Sequence, residues 1–231
     1  MATSGRIISV HTNAPKGNQT TPPTWIGAKY ASLTSMGRVC YIPSGDWHVW
    51  QLTFSNAIRA NILTDENPQG FLTINDLEMA AYIAHLHLFP PCMTPLYQIA
   101  TGVDNTATEI WNRRGSVSIA TAIVPLLHEA ACIKCQEKIH ASITSIPGVK
   151  NIKADAALRL THLPVHIFLK PFNTSFPQLT TWRMSLLPYG VTLRLHTMLL
   201  TKHAPKASPL PDSARTTSRE NNGTNSANGC A

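Results

Sequence analysis

The chain has 231 residues, 43% of them hydrophobic, with a formal net charge of +7 and a pI near 9.3. That length suits one domain of ordinary size with loose ends; no apolar run is long enough to span a bilayer, and the N-terminus lacks the charged-then-apolar pattern of a secretory signal. The basic balance favours a polyanionic partner, either nucleic acid or an anionic surface. The five cysteines, Cys40, Cys92, Cys132, Cys135 and Cys230, form an odd set without framework spacing. They point to a reducing, intracellular compartment, cytoplasmic or nuclear.

Met1 to Thr24 is rich in Thr, Asn, Gly and Pro and has no apolar periodicity, so it is expected to be disordered. Three short strands are expected next: Trp25 to Ala31, Arg38 to Ile42 and His48 to Phe54. Ser44-Gly45-Asp46 supplies a hairpin turn between the last two. Ser55 to Leu72 reads as a long connection with Asn67-Pro68 and Gly70. Thr73 to Leu88 reads as a helix, because Ile74, Leu77, Ala81, Ala84 and Leu88 share one face. Glu78 lies about 40° from Ile74 around that axis, on the flank of the apolar stripe. A carboxylate there must be paired or bound to a cation once desolvated. It also reads as closing a capping box with Asn75 as the cap. The two readings are compatible.

Phe89-Pro90-Pro91 stops that helix. Tyr97 to Val103 is a buried strand that runs out on Asp104-Asn105. Thr106 opens a helix to about Asn112, with Gly115 as its C-cap. Asp104 is either the N-cap of that helix or a site residue, since ligands bind at the carboxyl ends of strands in open α/β sheets. A second helix, about Thr121 to Lys138, carries the stripe Ile123, Leu126, Leu127, Ala130 and Ile133. Cys132 and Cys135 have metal-ligand spacing, with His128 and His140 nearby. No second pair answers them, and Cys132 points about 180° from Ile123, away from the stripe, so no metal role is expected.

The fifth strand is His140 to Ile146. Pro147-Gly148 turns the chain, and Asp155 opens a helix to about Thr161. Pro164 to Pro188 carries Phe168, Phe172, Phe176 and Trp182 without clear period. These aromatics either line a nucleic acid groove or pack the segment onto the domain, and packing is the favoured reading. Val191 to Leu200 is one short helix, and the Pro-, Ser-, Thr- and Asn-rich end is a linker or tail. The expected organisation is a disordered 1–24, a domain over 25–163, an extension over 164–200 that packs on it, and a disordered 201–231. Three strands, helix, strand, helices, strand, helix predict a mixed α/β sheet with helices on both faces.

Three stretches each put one acid near the start of a helix: Asn75-Asp76-Leu77-Glu78-Met79-Ala80, Val103-Asp104-Asn105-Thr106, and Pro147-Gly148-Val149-Lys150-Asn151-Ile152-Lys153-Ala154-Asp155. Together, in this order, they resemble the ribonuclease H domain of retroelement reverse transcriptase polyproteins. The resemblance covers roughly Trp25 to Leu163. It implies a five-stranded ribonuclease H-like sheet, three antiparallel strands followed by parallel ones. It also implies that the carboxylates of Glu78, Asp104 and Asp155 converge as ligands for Mg2+ or Mn2+ and hydrolyse the RNA strand of an RNA–DNA hybrid. Two divalent ions activate the attacking water and neutralise the leaving oxygen in such chemistry. Asn105 becomes a candidate for a 2′-hydroxyl contact, and Arg113, Arg114, Lys150 and Lys153 for phosphate contacts, with ordinary solvated surface as the competing reading. Other domains of a polyprotein would be partners in the same chain.

The sequence departs from that family at one position. The family's first strand carries an Asp followed by Ala-Ser and a Gly-containing turn. Here Tyr30-Ala31-Ser32-Leu33-Thr34-Ser35-Met36-Gly37 fits, with Tyr30 in place of the Asp. A phenol offers one neutral oxygen and ionises only near pH 10. The family's acid bridges both ions, so its loss predicts weakened metal binding and little or no cleavage. Asp46, in the next hairpin turn, is not expected to substitute. Two readings follow: a ribonuclease H with an impaired site, or a catalytically inactive remnant with a structural or weak nucleic-acid-binding role.

Overall fold

The computed structural model describes residues 25–41, 45–88, 97–115 and 123–203. The expected disorder of 1–24 and of the tail beyond 203, the Phe89-Pro90-Pro91 stop, and Cys92 and Cys230 lie outside the described residues. The strands are β1 (Trp25–Ala31), β2 (Ser35–Tyr41), β3 (Trp47–Thr53), β4 (Tyr97–Val103), β5 (Ile139–Ser145) and β6 (Arg183–Met184). The helices are α1 (Asn56–Arg59), α2 (Ile74–His87), α3 (Thr106–Arg114), α4 (Ile123–Gln136), α5 (Ile152–Arg159), α6 (Val165–Ser175) and α7 (Tyr189–Thr201), with a 3-10 turn at Gly148–Lys150.

The sheet order is β5-β4-β1-β2-β3-β6. β1, β2 and β3 form the antiparallel meander, and β4 and β5 add in parallel on the other side of β1. This is a mixed α/β sheet flanked by helices, three antiparallel strands followed by parallel ones, as the sequence predicts. A sixth strand of two residues, Arg183–Met184, pairs in parallel with β3. It is too short to leave a periodic signal, so the sequence reading stopped at five.

Placing β1 in the centre buries it from both sides. Ala31 packs into a core with α2, α4 and α7, while Ala28 and Tyr30 pack toward α5 and α6 on the opposite face. This is the two-residue alternation of a strand. The second face is closed by Val39, Val49, Ala154, Ala157, Phe168, Phe172 and Trp182. Phe172 stacks on Phe168 and meets Trp182 edge-on, each with ring centroids 5.0 Å apart. The Trp182 indole N–H donates to the Phe176 carbonyl. The aromatics of the C-terminal segment are therefore packing groups.

Several local expectations change. α2 is buried on every side from Asp76 to Leu86, because the sheet, α4 and α7 surround it, while Ile74 stays exposed. One apolar stripe understates such a helix. Its N-cap is Thr73, with Asp76 closing the capping box, in place of Asn75 and Glu78. The long connection holds α1, capped by Ser55 and anchored by the buried Ile58. β2 starts at Ser35, so Gly37 lies inside a strand and not in a turn. The turn belongs to Ser32, whose hydroxyl accepts the N–H groups of Thr34 and Ser35, both at 3.2 Å. α5 begins at Ile152, which puts Asp155 inside its first turn and not ahead of it.

Candidate active site

β1 and β4 run parallel, and the chain leaves β4 through Asp104 beside the C-terminal end of β1. An open pocket of about 330 Å³ lies there, lined by Tyr30, Ala31, Ser32, Leu33, Ile74, Glu78, Asp104 and Asn105. Glu78 arrives from the second turn of α2 on one face of the sheet, and Asp155 from α5 on the other. Asp155 does not line the pocket, yet its charge is felt inside it. Burial raises the Tyr30 phenol above its ordinary pKa, and the carboxylates of Asp104, Asp155 and Glu78 raise it further. Tyr30 thus shares the pocket with Glu78 and Asp104 as a neutral phenol, with Asp155 within electrostatic reach.

The acids differ in their partners. Glu78 is buried, and one of its oxygens accepts the Ala31 N–H at 2.7 Å. Its other oxygen is ion-paired with the ammonium of Lys29, which is fully buried and also donates to the Glu78 main-chain carbonyl at 2.7 Å. Asp155 accepts from the Arg159 guanidinium at 2.7 Å, one turn along α5. Asp104 has no such cation in contact. Its Oδ1 is buried without a hydrogen-bond partner among the described residues. Burial first, then Glu78, pushes its carboxyl up to about 6 against the pull of Lys29.

Asp104 is not the cap of α3. Asn105 is: its side-chain oxygen accepts the Thr108 N–H at 2.9 Å, and its amide donates to Asn75 at 2.7 Å. The carbonyl oxygen and one amide N–H of Asn105 are engaged inside the protein, which leaves its second amide N–H as the donor for the expected 2′-hydroxyl contact. Gly115 closes α3 in the left-handed conformation, as expected.

The candidate phosphate contacts divide in the same way. Arg114 and Lys150 are exposed and make no ion pair among the described residues. Arg113 is exposed beside Glu109, one turn away at 3.7 Å. Lys153 lies over the rings of Trp47 and Trp182, at 5.1 and 5.7 Å, and burial lowers its pKa. Its charge is committed to aromatic faces. Asp46 pairs with Arg183 at 3.4 Å, at the opposite end of the sheet from the pocket, because β3 runs parallel to β1. On α4, the Cys132 sulfur is 3.7 Å from His128 Nδ1 and Cys135 is exposed.

Two residues that matter were missed. Lys29 had a readable signal: a lysine inside a central strand demands a buried counter-charge. Asn151, also buried, donates to the Lys29 carbonyl at 3.0 Å and ties the start of α5 to β1.

The donor set does not fit a pair of divalent ions as it stands. Both Glu78 oxygens and the Asp155 oxygen nearest Arg159 are already engaged, and Tyr30 offers only a neutral phenol oxygen. Among the described residues no group of three His, Cys, Asp or Glu side chains is placed to share a metal ion. No helix among them is long and apolar enough to cross a membrane.

No protein-family model matches the chain, and neither does any curated protein. Among solved structures the chain is similar to RNase H1 from the halophilic archaeon Halobacterium salinarum NRC-1, with a TM-score of 0.43 and 17% identity over 60% of this chain and 95% of that one. It is also similar to LC11-RNase H1 in complex with an RNA/DNA hybrid, with a TM-score of 0.43 and 16% identity over 58% of this chain and 94% of the other.

Proposed function

We propose that the chain is a ribonuclease H-like domain of retroelement reverse transcriptase ancestry that holds RNA–DNA hybrid and has lost efficient cleavage of the RNA strand. Residues 25–163 are the ribonuclease H-like unit, and 164–200 its extension. The observation that carries this reading is Tyr30 at the end of the central strand, with Glu78, Asp104 and Asp155 around it. Their order along the chain is that of the family, and the missing acid falls where the family has its bridging carboxylate.

A basic chain can keep phosphate contacts after losing chemistry, since backbone binding needs cations but no metal site. Arg113, Arg114 and Lys150 are the side chains proposed for it, with Lys153 demoted by its indole partners. The test uses a labelled RNA–DNA hybrid with double-stranded DNA as competitor. Binding that weakens as salt rises, with no RNA cleavage in Mg2+ or Mn2+, is the expected result. Robust Mg2+-dependent cleavage abolished by Asp104→Asn would overturn the loss of activity. Absence of hybrid binding at low salt would remove the functional reading and leave a structural remnant.

A further inference from the structure

We infer that the ammonium of Lys29, buried behind this pocket, is the resident cation of Glu78 and that it excludes a divalent metal from that carboxylate. The inference deepens the ribonuclease H-like reading of the acids and rests on it. Lys29 is fully buried on the central strand, one residue before Tyr30, and strand alternation turns it toward α2. There its ammonium contacts a carboxylate oxygen and the main-chain carbonyl of the same residue, Glu78. The remaining carboxylate oxygen takes the Ala31 N–H. Glu78 is therefore neutralised and oriented by β1 itself.

A divalent ion placed on Glu78 would stand beside a buried ammonium that has no route to water. Like charges so close in a poorly screened site repel strongly. The other two acids do not compensate. Asp155 does not line the pocket and carries an exposed ion pair to Arg159, so Asp104 is the one of the three acids without a cation in contact among the described residues. Mg2+ gives up its waters reluctantly and is not retained by one carboxylate. Two residues on adjacent positions of one strand thus account for the change: Tyr30 removes a ligand, and Lys29 supplies the charge that a metal would have brought.

The consequence separates this inference from a simple missing-ligand account. If Tyr30 alone were responsible, Tyr30→Asp would rebuild a metal site. With Lys29 in place it does not, and Tyr30→Asp with Lys29→Gln does. The probe is Mn2+, followed by the loss of its free-ion electron paramagnetic resonance signal, together with the thermal midpoint with and without Mg2+. The intact chain and Tyr30→Asp are expected to leave the Mn2+ signal and the midpoint unchanged. The double variant is expected to bind Mn2+ on the order of ten- to a hundredfold more tightly, the range over which a ligand's neighbour moves metal affinity.

Mn2+ binding by the intact chain that Glu78→Gln abolishes would overturn the inference, and this arm requires no refolded variant at the lysine. So would equal Mn2+ binding by Tyr30→Asp and the double variant, or none by a double variant with intact circular dichroism. Hybrid binding by the intact chain is measured in parallel in EDTA and in Mg2+. Equal binding supports the inference. Binding that requires Mg2+ overturns it, and no binding in either buffer removes the functional reading while leaving the Mn2+ result to stand.

Discussion

Gly37 lies against the main chain of Leu158. A Cβ built on Gly37 would sit 2.9 Å from the Leu158 nitrogen and 3.2 Å from its Cα, so a backbone would have to move. This contact lets α5 settle on β2 and carry Asp155 toward Tyr30, the residue paired across from Gly37. Gly37→Ala should therefore cost about 1–3 kcal/mol, the range for overpacking a fitted interface. Gly190→Ala is the control: nothing lies within 4 Å of its Cβ and it sits in α7. It should be neutral or stabilising by up to about 1 kcal/mol. Urea unfolding of both variants checks this. Equal effects would mean that the α5 approach does not depend on the missing side chain.

The buried pair predicts an asymmetric response. Glu78→Gln leaves the Lys29 ammonium in the core without its counter-charge and should cost about 3–5 kcal/mol. Lys29→Met combined with Glu78→Leu removes both charges and should recover most of that loss, since apolar replacements of buried pairs are often tolerated. A double-mutant cycle by chemical denaturation measures the coupling. A loss under about 1 kcal/mol for Glu78→Gln would show that the pair is solvated in solution.

Asp104 predicts the pH dependence. Its carboxyl is pushed up to about 6 from an ordinary 3.8, so the folded protein holds the proton more tightly than the unfolded chain. The stability from that proton is fully present below the unfolded value and is lost as pH rises through about 6. The group is half-exposed, so the loss is set at about 1 kcal/mol, well below what the shift alone would give. Asp104→Asn cannot ionise and should flatten the curve between these pH values, becoming more stable than the intact chain at neutral pH. Thermal midpoints across the pH range decide it. An unchanged difference between the two proteins at acid and neutral pH would contradict the raised value.

Asn105 separates a cap from a contact. Asn105→Ala should cost about 1 kcal/mol through the lost cap of α3, and Asn105→Asp should keep most of it. Neither should lower hybrid affinity beyond its effect on folding, because the carbonyl oxygen and one of the two amide N–H groups already serve the fold. Arg114→Ala and Lys150→Ala should instead weaken hybrid binding and reduce the slope of affinity against salt by about one each. Fluorescence anisotropy over a salt series reads both effects. A selective loss for Asn105→Ala at unchanged stability would restore it as a contact to the nucleic acid.

The sequence by itself determined five of the six strands and the helices α2, α3, α4, α5 and α7 in their order, but not α1, α6 or β6. Trp25 to Ala31 and Tyr97 to Val103 were bounded as the structure bounds them, because strand signals are local. The three acids and Tyr30 stood out for the same reason, each sitting inside a short motif. Only the tertiary structure decided what those acids do. The partner of Glu78 stands 49 residues away on β1, and no spacing rule links a helix acid to a strand lysine across a sheet. The role of Gly37 depends on Leu158, more than a hundred residues later, and β6 exists only because the β3 edge was there to receive it. Local chemistry chooses a residue's secondary structure, whereas charge compensation and close packing are settled by whichever distant groups the fold brings into contact.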